Sequence, residues 1–86
     1  MPAEYTLVLT EHFRKDLKKL SRQDQVRVRR ALDELRANPY RGGKVSGVDV
    51  GCYRWRVGDF RIRYDIENKE VLVLRVIKRE DVYRKF

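Results

Sequence analysis

Arginines alternate with aromatic and aliphatic residues in two neighbouring segments, residues 52–57 (CYRWRV) and residues 60–66 (FRIRYDI). Alternation with a period of two is typical of a β-strand that has one polar and one apolar face. Each guanidinium is a planar fork of N–H donors that can bind two phosphate oxygens at once. The spacing therefore predicts a strand pair whose polar face could bind the phosphate backbone of a nucleic acid.

Gly58 and Asp59 lie between these segments and predict a two-residue hairpin loop. The loop fixes the pairing of the two strands: Val57 opposite Phe60, Arg56 opposite Arg61, Trp55 opposite Ile62, Arg54 opposite Arg63, and Tyr53 opposite Tyr64. Like charges directly opposite each other destabilise a sheet by about 0.2–1 kcal/mol per pair. Because the chain does not need such pairs in order to fold, we interpret these arginines as functional.

A third strand is predicted at residues 71–77. Its predicted register puts three residues on the apolar face, Leu72, Leu74 and Val76. The same register puts Arg75 beside the other arginines, and Arg79 has the same parity. We call the polar side of this sheet the arginine face. Any one of its arginines is well explained as a solvated residue paired with an acid such as Asp65, whereas the whole set favours a phosphate-binding surface.

Other residues whose side chains could act in catalysis or binding have structural explanations. His12 lies in the first turn of a predicted helix, where a surface or capping role is commoner than catalysis. The parity of Tyr53, Trp55 and Tyr64 assigns them to the core rather than to a stacking platform. Tyr83 follows the last strand in a polar segment, so it could either stack on a base or close the edge of the core.

The apolar face of the predicted sheet must be buried, and residues 5–37 predict the elements that pack against it. Residues 5–9 predict a first strand, and Thr10 is the predicted cap of a helix over residues 11–20. Ser21 followed by Asp24 resembles a capping box and starts a second helix, which Asn38-Pro39 ends. Each helix has an apolar stripe, formed by Phe13, Leu17 and Leu20 in the first and by Val28, Ala31, Leu32 and Leu35 in the second.

Residues 40–51 contain four glycines among polar residues and predict a loop. The order of elements is therefore β-α-α-β-β-β. It predicts an α+β fold in which a helical hairpin packs on one face of a small, twisted, mainly antiparallel sheet. The arginine face is left open on the other side.

The composition agrees with one small basic domain spanning residues 1–86. Lys and Arg outnumber Asp and Glu by 21 to 13, and the net charge of +8 favours a polyanionic partner. The single cysteine, Cys52, and the single histidine exclude an internal disulfide and a structural zinc site. We therefore expect a reducing, cytoplasmic location without a metal or cofactor. The chain has no apolar run of membrane-spanning length, so we expect no membrane partner.

Residues 51–64 (GCYRWRVGDFRIRY), residues 71–76 and residues 78–83 (KREDVY) resemble the RelE/ParE family of toxins from type II toxin–antitoxin systems. The resemblance covers nearly the whole chain and includes the order of elements. It implies one of two activities, ribosome-dependent cleavage of messenger RNA in the RelE branch or inhibition of DNA gyrase in the ParE branch. The two branches share a fold, which cannot by itself choose between them.

Several positions match residues of the nuclease branch. The resemblance implies that Arg61 contacts the scissile phosphate and that Arg79 assists the leaving 5′ oxygen. It implies that Tyr83 stacks on or orients a base, and that Arg54 and Arg56 match a basic pair on the preceding strand. Arg63 and Arg75 complete the predicted RNA-binding set.

The implied reaction is attack of a ribose 2′-hydroxyl on the neighbouring phosphate, without a metal, giving a 2′,3′-cyclic phosphate and a 5′-hydroxyl. Where a lysine is thought to help remove the 2′ proton, this chain has Arg56, which is a poor base because a guanidinium keeps its proton. Lys78 and Glu80 are the two candidates for proton transfer, with Arg56 acting electrostatically.

The resemblance also implies partners. We expect a cognate RelB-like antitoxin, the ribosome and messenger RNA, but no binding of DNA by the toxin alone. The rival functions are a ParE-like inhibitor of DNA gyrase and a basic RNA-binding module without catalysis.

Overall fold

The structure, a computed structural model, describes residues 5–45, 47–48 and 51–78. Its elements are β1 (Thr6–Leu9), α1 (Glu11–Lys18), α2 (Arg22–Ala37), a 3-10 turn (Pro39–Arg41), β2 (Gly43–Lys44), β3 (Tyr53–Val57), β4 (Phe60–Glu67) and β5 (Glu70–Lys78). The strands form one sheet in the order β1-β5-β4-β3-β2. β1 runs parallel to β5, and the other neighbours are antiparallel. The predicted α+β class is confirmed.

Both predicted helix caps are present. The hydroxyl of Thr10 accepts a hydrogen bond from the Phe13 N–H at 3.2 Å, and that of Ser21 accepts one from the Asp24 N–H at 3.2 Å. α1 ends at Lys18, two residues before the predicted end at Leu20. The N–H groups after it bond to carbonyls three residues back, which tightens and closes the last turn.

The core lies between the helical hairpin and one side of the sheet, which we call the helical face. Buried residues of the helices are Phe13, Val28, Ala31, Leu32 and Leu35, and those of the sheet are Phe60, Ile62, Tyr64, Val71, Val73 and Val76. Tyr53, Trp55, Leu17 and Leu20 pack against this cluster. The predicted helical stripes and the core assignment of Tyr53, Trp55 and Tyr64 are confirmed.

A β-bulge in β5 corrects the predicted parity of that strand. Arg63 pairs with Arg75 whereas the next residue, Tyr64, pairs with Val73, so that Leu74 is an extra residue. An extra residue reverses the alternation, so Val71 and Val73 enter the core while Leu72 and Leu74 do not. The prediction was therefore wrong for both leucines and right for Val76. The bulge is held by Thr10, whose hydroxyl lies 3.0 Å from the Val73 carbonyl and 3.1 Å from that of Leu74.

The predicted loop of residues 40–51 contains a short edge strand that periodicity could not reveal. Gly43 and Lys44 pair with Arg54 and Tyr53, and two residues are too few to show an alternation.

Tyr64 anchors the start of this edge strand. Its hydroxyl donates to the Pro39 carbonyl at 2.7 Å. Burial, with a smaller contribution from Tyr53, raises the pKa of Tyr64 to about 12. A Cβ at Gly42 would collide with the Tyr64 hydroxyl and lie 2.7 Å from the Arg54 carbonyl, so only glycine fits there. Within the part of the chain that the structure describes, no helix has the length and hydropathy needed to span a membrane.

Candidate nucleic-acid interface

The hairpin of β3 and β4 has the predicted register. Val57 pairs with Phe60 across Gly58-Asp59, and the arginines face each other as Arg56 opposite Arg61 and Arg54 opposite Arg63. Gly58 has a φ of +56°, which a two-residue hairpin loop requires and which glycine adopts without strain. Local sequence therefore determines the spacing of these four side chains.

Three of these arginines line an open groove. Arg54 and Arg56 are exposed, Arg61 is half-buried, and together with Gly43 they surround a cavity of about 210 Å³. We call this cavity the arginine groove. Among residues 5–45, 47–48 and 51–78, no carboxylate or carbonyl pairs with any of the three guanidiniums. Three unneutralised charges around one concavity form an attractive site for a polyanion.

Gly43 gives Arg54 the space that it occupies. A Cβ at Gly43 would lie 3.3 Å from the Arg54 Nε atom. The groove continues into a second cavity of about 180 Å³ that Val45, Arg63 and Ile77 line together with Arg54 and Arg61. Sequence reasoning missed the contribution of Gly43 because the edge strand that carries it was not predicted.

Arg63 lies on the arginine face but is already engaged. Its Nε and Nη2 atoms donate to the Gly51 carbonyl at 2.8 Å and 2.6 Å. The carboxylate of Asp65 accepts the N–H groups of Gly51 at 2.9 Å and Cys52 at 2.7 Å. Arg63 and Asp65 therefore both hydrogen-bond the backbone immediately before β3, Arg63 through the carbonyl and Asp65 through the N–H groups.

Arg75 lies on the arginine face, as expected, where it pairs with Arg63, but its charge is neutralised. Its Nε lies 2.6 Å from one carboxylate oxygen of Asp16, and its Nη2 lies 3.2 Å from the other. The hydrogen bond to Asp16 raises the pKa of Arg75. Asp16 also accepts the Val76 N–H at 3.2 Å, so α1 binds the β5 edge beyond the end of β1. The expected set of five or six converging guanidiniums is reduced to three in the described residues.

Lys78 does not join the arginine groove. It pairs with Phe60 and therefore lies on the helical face. There it lines a cavity of about 320 Å³ together with residues of the helical hairpin, Asp16, Lys19, Leu20, Ser21 and Asp24. Lys78 shares the parity of Val76, so the alternation along β5 puts it on the helical face, away from the groove arginines. Its role in proton transfer stays a prediction. Arg79, Glu80 and Tyr83 lie outside the described residues.

Among the described residues, the side chains that line the groove are suited to attract anions but include no base. Arginine stays protonated, so the three guanidiniums can stabilise negative charge and cannot accept a proton. His12 is exposed on α1, as predicted. The residues that the structure describes contain no cluster of three or more His, Cys, Asp or Glu side chains able to hold a metal ion.

Residues 7–83 match the profile of a known family, the ParE toxin of the type II toxin–antitoxin system parDE. No curated protein sequence is similar enough to the chain to count as a match.

Several solved structures of RelE toxins and RelBE toxin–antitoxin complexes have the same fold. The chain is 31% identical to one in the RelBE2 toxin–antitoxin complex from Mycobacterium tuberculosis, with a TM-score of 0.80, covering 88% of this chain and 99% of that one. In the intact RelBE complex from E. coli the identity is 28% and the TM-score 0.70, over 86% of this chain and 95% of that one. In the RelB–RelE complex from Methanococcus jannaschii the identity is 25% and the TM-score 0.74, over 92% of this chain and 98% of that one.

Proposed function

The chain belongs to the ParE toxin family of type II toxin–antitoxin systems and is RelE-like in structure, and from this we propose that it is a ribosome-dependent endoribonuclease. Its substrate is messenger RNA in the ribosomal A site, and its effect is arrest of translation. The finding that supports this activity best is the arginine groove, in which Arg54, Arg56 and Arg61 are free of acidic partners among the described residues.

The groove suits a reaction in which negative charge accumulates on a phosphate. In the proposed step the ribose 2′ oxygen bonds to phosphorus, its proton passes to a base, the bond to the 5′ oxygen breaks, and that oxygen takes up a proton. The products are a 2′,3′-cyclic phosphate and a 5′-hydroxyl. In many enzymes, hydrogen-bond donors that already point at the charge developing in the transition state make the largest single contribution to the rate enhancement. Arg61 is assigned to the scissile phosphate, with Arg54 and Arg56 stabilising charge from the neighbouring strand.

The remaining roles fall on residues at and after the end of β5. Arg79 is assigned to the leaving 5′ oxygen, Tyr83 to stacking on a base, and Glu80 to removal of the 2′ proton. Lys78 is the weaker of the two proposed bases because its side chain is on the helical face. Arg56 retains an electrostatic role, since a guanidinium is a poor base.

Primer extension on ribosome-bound messenger RNA tests this proposal. We expect the wild-type protein to cut in the A site with EDTA present, and Arg61→Gln and Tyr83→Ala to lose the cuts. Arg30→Gln is the matched control, because Arg30 is an exposed residue of α2 and the charge change is the same. An absence of cuts from the folded wild-type protein, or cuts that Arg61→Gln leaves intact, would refute the nuclease assignment.

Inhibition of DNA gyrase is a second candidate, favoured by the match to a family named for ParE toxins. A supercoiling assay with purified gyrase separates the two. Inhibition by the wild-type protein that persists in Arg61→Gln supports the gyrase activity, and unaltered supercoiling excludes it.

We further propose that an antitoxin similar to RelB neutralises this toxin. RelB–RelE complexes are among the structures that resemble it, and a net charge of +8 favours an acidic partner. Co-expression of the toxin with the product of a neighbouring gene should yield a complex that co-purifies and restores growth.

A further inference from the structure

The backbone immediately before β3 is fixed by two side chains of one strand. Arg63 and Asp65 are two residues apart on β4. Arg63 donates twice to the Gly51 carbonyl, while the Asp65 carboxylate accepts the N–H groups of both Gly51 and Cys52. We call this arrangement the Gly51 clasp. A backbone dipeptide with three polar groups bound by two side chains has little freedom to move.

The Gly51 clasp adjoins the strand that carries the groove. The Cys52 carbonyl accepts the Val45 N–H at 2.7 Å, so the residue that follows β2 also binds Cys52. Arg54 follows two residues later and Arg56 four residues later. Any shift at Cys52 therefore displaces the first half of β3 relative to Arg61 on β4.

The geometry also limits what Arg63 can do elsewhere. Two of its donor atoms are used by the Gly51 carbonyl, and Gly51 is buried beneath the guanidinium. Gly51 has a φ of +68°, and a Cβ there would lie 3.4 Å from the Arg63 Nε, the Arg63 Nη2 and the Leu74 Cδ1 atoms. A Cβ would fit at these distances, so it is the positive φ that favours glycine at this position. Although Arg63 borders the second cavity, these two hydrogen bonds hold its guanidinium on the protein backbone.

We propose that Arg63 and Asp65 are positioning residues, which align Arg54 and Arg56 with Arg61 through the Gly51 clasp and do not themselves bind phosphate. The proposal rests on the proposed function, because alignment matters only if the groove acts on RNA. It reassigns Arg63, which the alternation of charges alone would count among the RNA-binding arginines.

The salt dependence of RNA binding distinguishes a positioning residue from a phosphate ligand. Each phosphate contact with a single strand contributes about 0.7 to the slope of log affinity against log salt. With a short fluorescent single-stranded RNA, we expect Arg63→Gln to keep the wild-type slope and Arg54→Gln to lose about 0.7. A loss of about 0.7 in Arg63→Gln would overturn the proposal.

Cleavage by Asp65→Asn gives the second test. Electrostatics alone predicts that removing a negative charge beside the groove strengthens RNA binding and preserves cleavage. The Gly51 clasp predicts instead that the single-turnover rate falls about tenfold, because misaligned catalytic groups lose rate even when they still bind. The double variant with Arg63→Gln should be no slower than the slower single variant. Wild-type cleavage by Asp65→Asn would overturn the proposal.

Hydrogen exchange separates failure of this proposal from failure of the proposed function. If the wild-type protein cuts no RNA, the nuclease assignment fails, but the Gly51 clasp can still be measured. Asp65→Asn should then accelerate hydrogen exchange of the Gly51 and Cys52 amides. Asp65→Asn and Arg63→Gln should each shift the NMR resonance of the Arg54 side-chain N–H. Unchanged exchange and an unshifted resonance would overturn the proposal independently of activity.

Discussion

Removing a groove arginine should stabilise the protein, because Arg56 and Arg61 repel each other across β3 and β4. Neither guanidinium has an acidic partner among the described residues, so the repulsion is not offset there. In Arg56→Gln the repulsion disappears while the side chain remains polar. A residue retained for binding at a cost in stability is expected at a functional site.

The size of the gain follows from the pairing. Directly opposed Cβ atoms in an antiparallel sheet lie about 5 Å apart. Two unit charges about 6 Å apart in water repel by about 0.7 kcal/mol. For a domain of this size, that corresponds to a rise of about 3–6 °C in the melting temperature. Salt should remove the effect, since the screening length falls from about 10 Å at 0.1 M to about 3 Å at 1 M.

Urea unfolding of five proteins at low and high salt measures this effect. Arg56→Gln and Arg61→Gln should each be more stable than wild type at low salt, and the double variant should gain little more, because either change alone removes the pair. Arg30→Gln, with the same change in net charge, serves as the control. If Arg56→Gln is less stable than wild type at low salt, Arg56 supports the fold and our interpretation of the groove is wrong.

Three other substitutions test contacts around the groove. Tyr64→Phe should lower the free energy of unfolding by about 1–2 kcal/mol at neutral pH, because the buried Pro39 carbonyl loses its donor. Because the folded-state pKa of Tyr64 is raised to about 12, its contribution to the free energy of unfolding is complete below about pH 10 and is lost as pH rises through 12. In urea titrations at pH 11, the stability of the wild type relative to Tyr64→Phe should therefore be smaller by about 1.4 kcal/mol than at neutral pH. Gly42→Ala should cost about 1–3 kcal/mol by the same assay, because the added Cβ collides with the Tyr64 hydroxyl. Asp16→Ala should cost about 1–2 kcal/mol in thermal melts, a modest loss because the side chain of its partner Arg75 is 43% exposed.

Each of these predictions has a matched comparison. Tyr40→Phe removes a hydroxyl from an exposed ring, and an equal pH response in it would contradict the assignment to Tyr64. Gly42→Ala should cost less in the Tyr64→Phe background, and an unchanged cost would contradict the steric explanation. Glu11→Ala removes an acid of α1 whose side chain is 83% exposed, and it should have little effect. An equal loss of thermal stability in Asp16→Ala and Glu11→Ala would show that the contact between Asp16 and Arg75 does not stabilise the fold.

Local patterns in the sequence predicted the elements that depend on near neighbours. The alternation in residues 52–66 and the Gly58-Asp59 loop predicted the arginine pairs, because the two-residue loop fixes the register of every later pair. The hydroxyls of Thr10 and Ser21 predicted both helix starts, because a cap bonds to an N–H three residues away.

Contacts between distant segments decided the rest of the site. Whether Arg63 and Arg75 are free to bind RNA depends on Gly51, 12 residues from Arg63, and on Asp16, 59 residues from Arg75. Which residues in the first half of β5 enter the core depends on the bulge at Leu74, which the Thr10 hydroxyl holds from 63 and 64 residues away. Periodicity describes which way a side chain points along one strand, and it contains no information about a partner on another element. The sequence alone therefore determined that arginines would line one face, and the tertiary structure decided which three of the described arginines remain open to a ligand.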